Sequence, residues 1–272
     1  MEKKVAFQGI PGSFSSTAAR ALFGDTFAPL HAVKFRDIFE AVVASEATYG
    51  VIPVENTLAG SVHENYDLLA EYPLWITREY LCPVQLHLLS KRPLHEVRRV
   101  ISHPKALEQC THFLRNHSKW IVEPWSDTAR AAQHVATSDD PSLAAIASEE
   151  AARLYNVPII SQTIQDHDSN VTRFVVIERE QPVISAPSKC SVIATLTHHI
   201  GALESFLKAA AQHSLNLTKI EARSQAAKPF EYSFHLDLTR PSLPQSEWEG
   251  ILSDLRKETT ELRILGLYEH AR

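Results

Sequence analysis

A hydroxyl and a guanidinium stand side by side at Thr172-Arg173, at the head of the apolar run Phe174-Val175-Val176-Ile177. The loop before them, Asp166-His167-Asp168-Ser169-Asn170, is polar throughout. This pairing suits an anionic substrate. A guanidinium holds a carboxylate through forked, charge-assisted hydrogen bonds, and a neighbouring hydroxyl can serve an oxygen that gains or loses a proton. Two further candidate groups close apolar strands. Glu55-Asn56-Thr57 follows Val51-Ile52-Pro53-Val54, and Ser102-His103-Pro104 follows Val100-Ile101. Polar groups at strand ends are where parallel α/β sheets keep ligands. For Glu55 and Asn56 the plainer reading is turn chemistry. His103 is either an acid-base group or a cap.

The segment Gln8-Gly9-Ile10-Pro11-Gly12-Ser13-Phe14-Ser15 joins a strand to a helix through a glycine turn. Ser13, Ser15 and Ser16 can cap that helix. Free N–H groups at such a start favour an anion, although an ordinary βα turn has the same spelling. The spacing is neither GxGxxG nor a Walker loop, which weakens a nucleotide reading. Ser126-Asp127-Thr128 opens another helix, with Ser or Asp as its cap.

Elements that would carry these groups follow from periodicity. Strands are expected at Val5-Ala6-Phe7, Phe27 to Val33, Tyr49 to Val54, Val100-Ile101, Trp120 to Pro124, Ala144 to Ser148 and Val157 to Ile164. Helices are expected at Thr17–Phe23, Asp37–Ser45, Glu149–Tyr155, and after Ser61, read as the cap of a helix bearing Glu64 to Leu69. Alternating strands and helices give an α/β domain over 1–180 with a mostly parallel sheet. Trp75 to Ser90 reads as extended and crosses between two lobes, one about 1–78 with 160–180 and the other about 79–159. Gln181–Ser188, rich in Pro and Ser, is a linker. Residues 189–272 then read strand, helix, strand, strand, helix, strand: Cys190–Thr197, Ile200–Ser214, Leu217–Gln225, Phe230–Leu238, Glu247–Lys257 and Leu262–Tyr268. This is the ferredoxin-like split βαββαβ unit. Its bare sheet edges lead to an expected homodimer or homotetramer.

The bulk composition narrows the function classes. The 272 residues are 44% hydrophobic and 22% charged, with a net charge of −5 and no basic run. Nucleic acid and anionic membrane are therefore not expected partners. Met1-Glu2-Lys3-Lys4 leads straight into a strand pattern, without a secretory leader or a membrane-length apolar run, so a cytoplasmic location is expected. Three widely spaced cysteines, Cys82, Cys110 and Cys190, fit reduced thiols. His198-His199 is the one adjacent histidine pair, and no metal site is expected.

Together these motifs make the chain resemble the prephenate dehydratases, in the monofunctional form that carries a C-terminal ACT regulatory domain. Thr172-Arg173-Phe174 is similar to the family's TRF triplet, and Val51 to Thr57 to its VPxEN segment. Ser102-His103-Pro104 with Ala106-Leu107, Gln109 and Cys110 is similar to SHPQALxQC, and Asp127-Thr128-Ala129 with Ala131-Ala132 to DTAxAA. Gln8 to Ser15 resembles the plant-like QGxPGAYS loop. Plant relatives of that kind often act on arogenate, so both substrates stay open. Lys105 stands where the family usually has Gln. The effector segments GALV and ESRP read Gly201-Ala202-Leu203-Glu204 and Glu221-Ala222-Arg223-Ser224.

The resemblance implies a two-lobed, periplasmic-binding-protein-like catalytic domain followed by the ACT domain. It implies a carbon–oxygen lyase that converts prephenate to phenylpyruvate, water and carbon dioxide in phenylalanine biosynthesis, without a metal or organic cofactor. Thr172 would be the catalytic hydroxyl, a hydrogen-bond donor or relay, with Arg173, Glu55 and Asn56 beside it. Glu55 is the other candidate acid, if burial raises its pKa. Ser13, Phe174, Ser102, Gln109, Thr128 and Asn170 would bind or shape the substrate. Gly201, Ala202, Leu203, Glu221 and Arg223 would bind L-phenylalanine as a feedback effector. Glu204 is expected to be exposed, because burying an unpaired carboxylate is costly. No chorismate mutase-like helical segment precedes the catalytic pattern, so a fused bifunctional enzyme is not expected. A non-catalytic, amino-acid-sensing binding protein shares the fold and is the competing class.

Overall fold

The computed structural model describes residues 3–197, 199–224 and 232–271. His198, Gln225 and Phe230-Glu231, which belong to expectations made above, lie outside the described residues. The chain runs through β1 (Lys3–Gln8), α1 (Phe14–Phe23), β2 (Phe27–Ala32), α2 (Phe35–Val43), β3 (Tyr49–Asn56), β4 (Gly60–Ser61), α3 (His63–Glu71), β5 (Trp75–Pro83) and β6 (His87–Ser90). Next come β7 (Arg99–Ser102), α4 (Pro104–Glu108), α5 (Thr111–Arg115), β8 (Ile121–Pro124), α6 (Thr128–Thr137), β9 (Leu143–Ala147), α7 (Glu149–Tyr155), β10 (Ile159–Ser161) and β11 (Val171–Glu178). The last segment is β12 (Lys189–Leu196), α8 (Ala202–Gln212), β13 (Asn216–Ser224), β14 (Tyr232–Thr239), α9 (Gln245–Arg256) and β15 (Thr259–Tyr268).

Three sheets result. The first has the order β2-β1-β3-β11-β5, with β4 paired to β3. The second has the order β10-β6-β9-β7-β8. It is mixed, not mostly parallel: β7 runs parallel to β8 and β9, but β6 is antiparallel to both β9 and β10. The expected long extended stretch breaks into β5 and β6, and the crossing chain enters this sheet against the direction of β9. Ser61 lies in a short strand ahead of the helix it was expected to open. The chain reverses at Gly60, where φ is +78° and a side chain would be strained, and Ser61 pairs with Glu55 before α3 begins.

The central strand of the second sheet is buried on both faces, which its sequence explains. Every residue of β9, Leu-Ala-Ala-Ile-Ala, is buried. Ala145 and Ala147 face a cluster with Ala129, Ala132 and Val135 of α6. Ala144 and Ile146 point the other way, toward Leu86, Val100 and Cys110. The small side chains let α6 approach closely. All three cysteines are buried and unbonded, and burial pushes the thiols up, to about 11 at Cys82 and about 12 at Cys110.

The third sheet has the order β13-β14-β12-β15 and is antiparallel throughout. Phe206 and Ala210 of α8 and Trp248, Ile251 and Leu255 of α9 form its core with Val192 and Leu236. Strands β13 and β15 are its edges. By packing, the chain divides into two units. One holds the residues up to Ile38, Val51–Val62 and Tyr80–Phe174; the other holds Phe39–Gly50, His63–Glu79 and everything from Val175 onward. The dividing line passes through β3, β5 and β11 within their length. Among the described residues no helix is long and apolar enough to cross a membrane.

Candidate active site

The ends of β3 and β11 bring the central residues together. Thr57 fastens the strands: its N–H donates to the Val171 carbonyl at 3.0 Å, its Oγ1 accepts from the Val171 N–H at 3.0 Å, and it donates to the Ser169 carbonyl at 2.8 Å. This register sets Asn56 against Thr172. The Asn56 Nδ2 donates to Thr172 Oγ1 at 3.0 Å, to Asn170 Oδ1 at 2.8 Å and to the Val171 carbonyl at 3.2 Å.

The other end of the same amide fixes its orientation. Asn56 Oδ1 accepts from the Leu58 N–H at 3.0 Å and the Ala59 N–H at 2.8 Å. Backbone N–H groups only donate, so the oxygen must face them and the NH₂ must face Thr172. The order continues outward. Asn170, buried, donates from Nδ2 to Gln109 Oε1 at 3.0 Å. Gln109 is placed by its own backbone, whose carbonyl accepts from the Asp166 N–H at 2.7 Å. Asp166 in turn takes the N–H groups of Thr111 and His112, each at 2.9 Å. Burial works to raise the Asp166 carboxyl, but its hydrogen bonds from Thr111 and His112 outweigh this and hold it below the usual range.

The directed chain Gln109–Asn170–Asn56–Thr172 has a chemical consequence. Thr172 Oγ1 receives a hydrogen bond, so its own O–H proton is left to point elsewhere as a donor. Beside it Arg173 Nη1 lies 3.8 Å from Glu55 Oε2, an ion pair longer than a hydrogen bond. The Arg173 side chain is 11% exposed and that of Glu55 35% exposed.

A second group of candidates meets at two helix starts. Ser13 caps α1, accepting from the Ser16 N–H at 3.2 Å. Asp127, not Ser126, caps α6 through the N–H groups of Ala129 and Arg130, and Thr128 is the first, buried residue of that helix. A Cβ added at Gly9 would lie 3.1 Å from Ser13 Oγ and 3.4 Å from Asp127 Oδ2, so the first loop runs against the start of α6. Tyr155 donates to the Pro11 carbonyl at 2.8 Å and Ser148 to the Gly12 carbonyl at 2.9 Å, which hold the loop.

Other expected site residues are placed differently. Ser102 is fully buried and donates to the Ile146 carbonyl at 2.6 Å, inside the second sheet. Phe174 is buried. His103 caps α4, its Nδ1 accepting from the Lys105 N–H at 3.2 Å. Lys105 is exposed and pairs with Glu108 at 3.0 Å. Gly201, at φ +87°, begins α8, with Ala202 buried, Leu203 half-buried and Glu204 exposed as expected. Arg223 forms a forked ion pair with Asp67 of α3 at 2.6–3.0 Å, and Glu221 lies 3.5 Å from His63. Sequence reasoning gave Thr57 no role; the signal was a hydroxyl beside Asn56, whose partner 114 residues away only the fold supplies.

Known proteins resemble this chain in sequence and in fold. The family model described as prephenate dehydratase matches residues 5–182. The chain is 35% identical to an Arabidopsis thaliana chloroplastic arogenate dehydratase/prephenate dehydratase, over 97% of this chain and 71% of that protein. Among solved structures, the L-Phe complex of prephenate dehydratase from Arthrobacter aurescens matches with a TM-score of 0.86 and 28% identity, covering 98% of this chain and 90% of that one. GqqA, described as a novel type of quorum-quenching acylase, matches with a TM-score of 0.87 and 27% identity over 99% of this chain and 98% of that one.

Proposed function

The chain belongs to the prephenate dehydratase family, and on that premise we propose that it converts prephenate to phenylpyruvate with Thr172 as the proton-donating hydroxyl. The observation that carries the assignment of Thr172 is the hydrogen bond it receives from Asn56. The reaction loses the ring carboxylate as carbon dioxide. The electron pair left behind moves into the ring and expels the ring hydroxyl, which takes a proton and leaves as water. Aromatisation drives the step. An alkyl hydroxyl is too weak an acid to act alone, so Thr172 donates a hydrogen bond to the departing oxygen. Charge that builds on its Oγ is stabilised by the Asn56 N–H. Arg173 meets a substrate carboxylate, with Glu55 setting the position of the guanidinium. Ser13 and Thr128, at the starts of α1 and α6, are assigned to the second carboxylate. Ser102 and Phe174 act by holding the second sheet and β11, and Gln109 and Asn170 by orienting Asn56.

Arogenate is the second substrate to weigh, since the Arabidopsis relative is named for both activities. Residues 1–180 are read as the catalytic part, 181–188 as the linker and 189–272 as an ACT domain that binds L-phenylalanine through Gly201, Ala202 and Leu203 with Glu221 and Arg223. The related Arthrobacter enzyme was solved with L-Phe. A homodimer or homotetramer in the cytoplasm, without a cofactor, completes the reading. The test is turnover of the purified chain on prephenate and on arogenate, with and without L-phenylalanine. Phenylpyruvate from prephenate, lost in Thr172→Ala, supports the assignment. A folded Thr172→Ala variant with near-normal turnover refutes the role of Thr172, and no turnover of either substrate supports the binding-protein class.

A further inference from the structure

The third sheet ends in a cavity of about 380 Å³. Strand pairing builds it: Thr239 stands opposite both Lys189 and Asn216, and Lys189 stands opposite Tyr268. The chain around these positions supplies Ser188, Asn216, Arg240, Ser242 and His270 to the lining, and among the described residues no Asp or Glu lines it. Arg240 is half-buried and has no carboxylate partner among the described residues. Its Nη1 donates to the His213 carbonyl at 2.9 Å, and its Nε is sealed from water without a partner. Among the described residues Nη2 is neither bonded nor sealed, so it is the part of the guanidinium left to the cavity. A cation partly withdrawn from water without a counter-charge calls for an anion.

Neutral donors make up much of the remaining lining. Ser188 Oγ accepts from the His270 N–H at 2.9 Å, so its own proton is left to donate. Asn216 and Ser242 are exposed, and their side chains make no hydrogen bond among the described residues. His270 forms a wall, with its Nδ1 held 2.7 Å from Glu79 Oε1, and Lys189 pairs with that carboxylate at 2.9 Å. The cavity thus sets one open guanidinium edge among hydroxyls and an amide.

We propose that this cavity binds a phosphate group, from free phosphate or from a small phosphate ester. One oxygen takes the Arg240 Nη2, and the others take the hydroxyls of Ser188 and Ser242 and the amide of Asn216. A tetrahedral dianion has enough acceptor oxygens for that set, and a guanidinium suits phosphate geometry. The volume leaves space for the organic part of an ester. The cavity lies apart from the effector segments: β12 leads away from Ser188 toward Gly201, and β13 leads away from Asn216 to Glu221 and Arg223, roughly 15–25 Å along the strands. Neither those segments nor the reaction proposed above are needed for this binding.

Titration calorimetry of the full chain with inorganic phosphate, glycerol 3-phosphate and acetate tests it. Phosphate is expected to bind once per chain, and acetate, with fewer oxygens and less charge, roughly tenfold or more weakly. Equal affinity for the two phosphates assigns the site to the phosphate group alone, and tighter binding of glycerol 3-phosphate assigns it to an ester; both support the proposal. Arg240→Gln is expected to abolish binding. Because that change also disturbs the hydrogen bond to His213 and can loosen the fold, Ser242→Asp, at the surface, is the second variant. Its carboxylate competes for Arg240 and repels the anion, so phosphate is expected to bind roughly tenfold or more weakly. Arg173→Gln and Arg223→Ala are expected to bind phosphate like the parent chain. No binding of either phosphate, acetate binding as tight as phosphate binding, binding that both Arg240→Gln and Ser242→Asp retain in full, or binding that only Arg173→Gln or Arg223→Ala abolishes would each overturn the proposal.

Discussion

The amide of Asn56 and the hydroxyl of Thr172 meet at 3.0 Å, and the bond has one possible direction. Leu58 and Ala59 occupy the oxygen of the amide with N–H donors, so the nitrogen end faces the hydroxyl. Thr172 is an acceptor toward Asn56 and hence a donor toward whatever sits in front of it.

Removing the hydroxyl tests its role directly. Thr172→Ala is expected to lower kcat on prephenate by roughly 10²–10³-fold, the range for one lost transition-state donor. Thr172→Ser should recover most of it. Asn56→Asp places a carboxylate where the donor stood. That carboxylate captures the Thr172 proton, so kcat should fall as far as in Thr172→Ala. Steady-state kinetics, with circular dichroism to verify the fold, measures all three.

Asn170→Ala removes the middle of the chain Gln109–Asn170–Asn56–Thr172, leaving Gln109 Oε1 without its donor and Asn56 with two of its three acceptors. A buried polar group left unsatisfied costs about 1–3 kcal/mol. The urea midpoint should fall accordingly. Because Asn170 acts through Asn56, kcat is expected to drop more than KM rises.

His235 gives the fold an acid limit. It is buried, meets the Tyr66 ring edge-on with centroids 5.1 Å apart, and burial lowers its pKa from 6.5 to about 4. Asp67, Asp237 and Glu221 pull the value up and Arg223 pushes it down, but burial dominates. Between the two values the unfolded chain binds the proton and the folded chain does not, so stability falls as pH drops from about 6.5 to about 4 and this contribution levels off below. The loss is on the order of 3 kcal/mol. Urea unfolding at pH 7, 5.5 and 4.5 should show it, and His235→Phe should flatten the dependence over that window.

Gly266 of β15 has no room for a side chain. A Cβ there would lie 1.9 Å from the carbonyl oxygen of Ile76 and 2.8 Å from its carbon, and that backbone cannot rotate away. Gly266→Ala is expected to destabilise by about 3 kcal/mol, the upper end for overpacking. Thermal unfolding measures it.

Arg223 joins β13 to α3 through its fork on Asp67, and α3 follows the β4 hairpin that holds Glu55. Arg223→Ala is expected to weaken inhibition by L-phenylalanine while leaving uninhibited kcat within about twofold, as for a surface pair worth under about 1 kcal/mol. Dose–response curves with the parent chain alongside decide it.

Much of this protein was determined by the sequence alone, and the reason is range. Ser13 and Asp127 cap helices through N–H groups two or three residues away, so spelling narrows each cap to two or three neighbouring candidates. The strand–helix–strand–strand–helix–strand order after the linker follows from periodicity in the same way. The Thr172-Arg173 pair is legible as chemistry because both groups are adjacent in the chain. Tertiary structure decided what depends on distant partners. Asn56 and Thr172 are 116 residues apart, and only the meeting of β3 and β11 brings them together. Ser102 looks like a site residue at a strand end, but the pleat turns its hydroxyl inward to Ile146. The short strand at Gly60–Ser61, paired with Glu55 and Asn56, follows from the turn there and from the distant pairing of β3, not from local spelling. In each case the local sequence allowed two faces or two partners, and the choice between them was made by burial and by hydrogen bonds to strands far away in the chain.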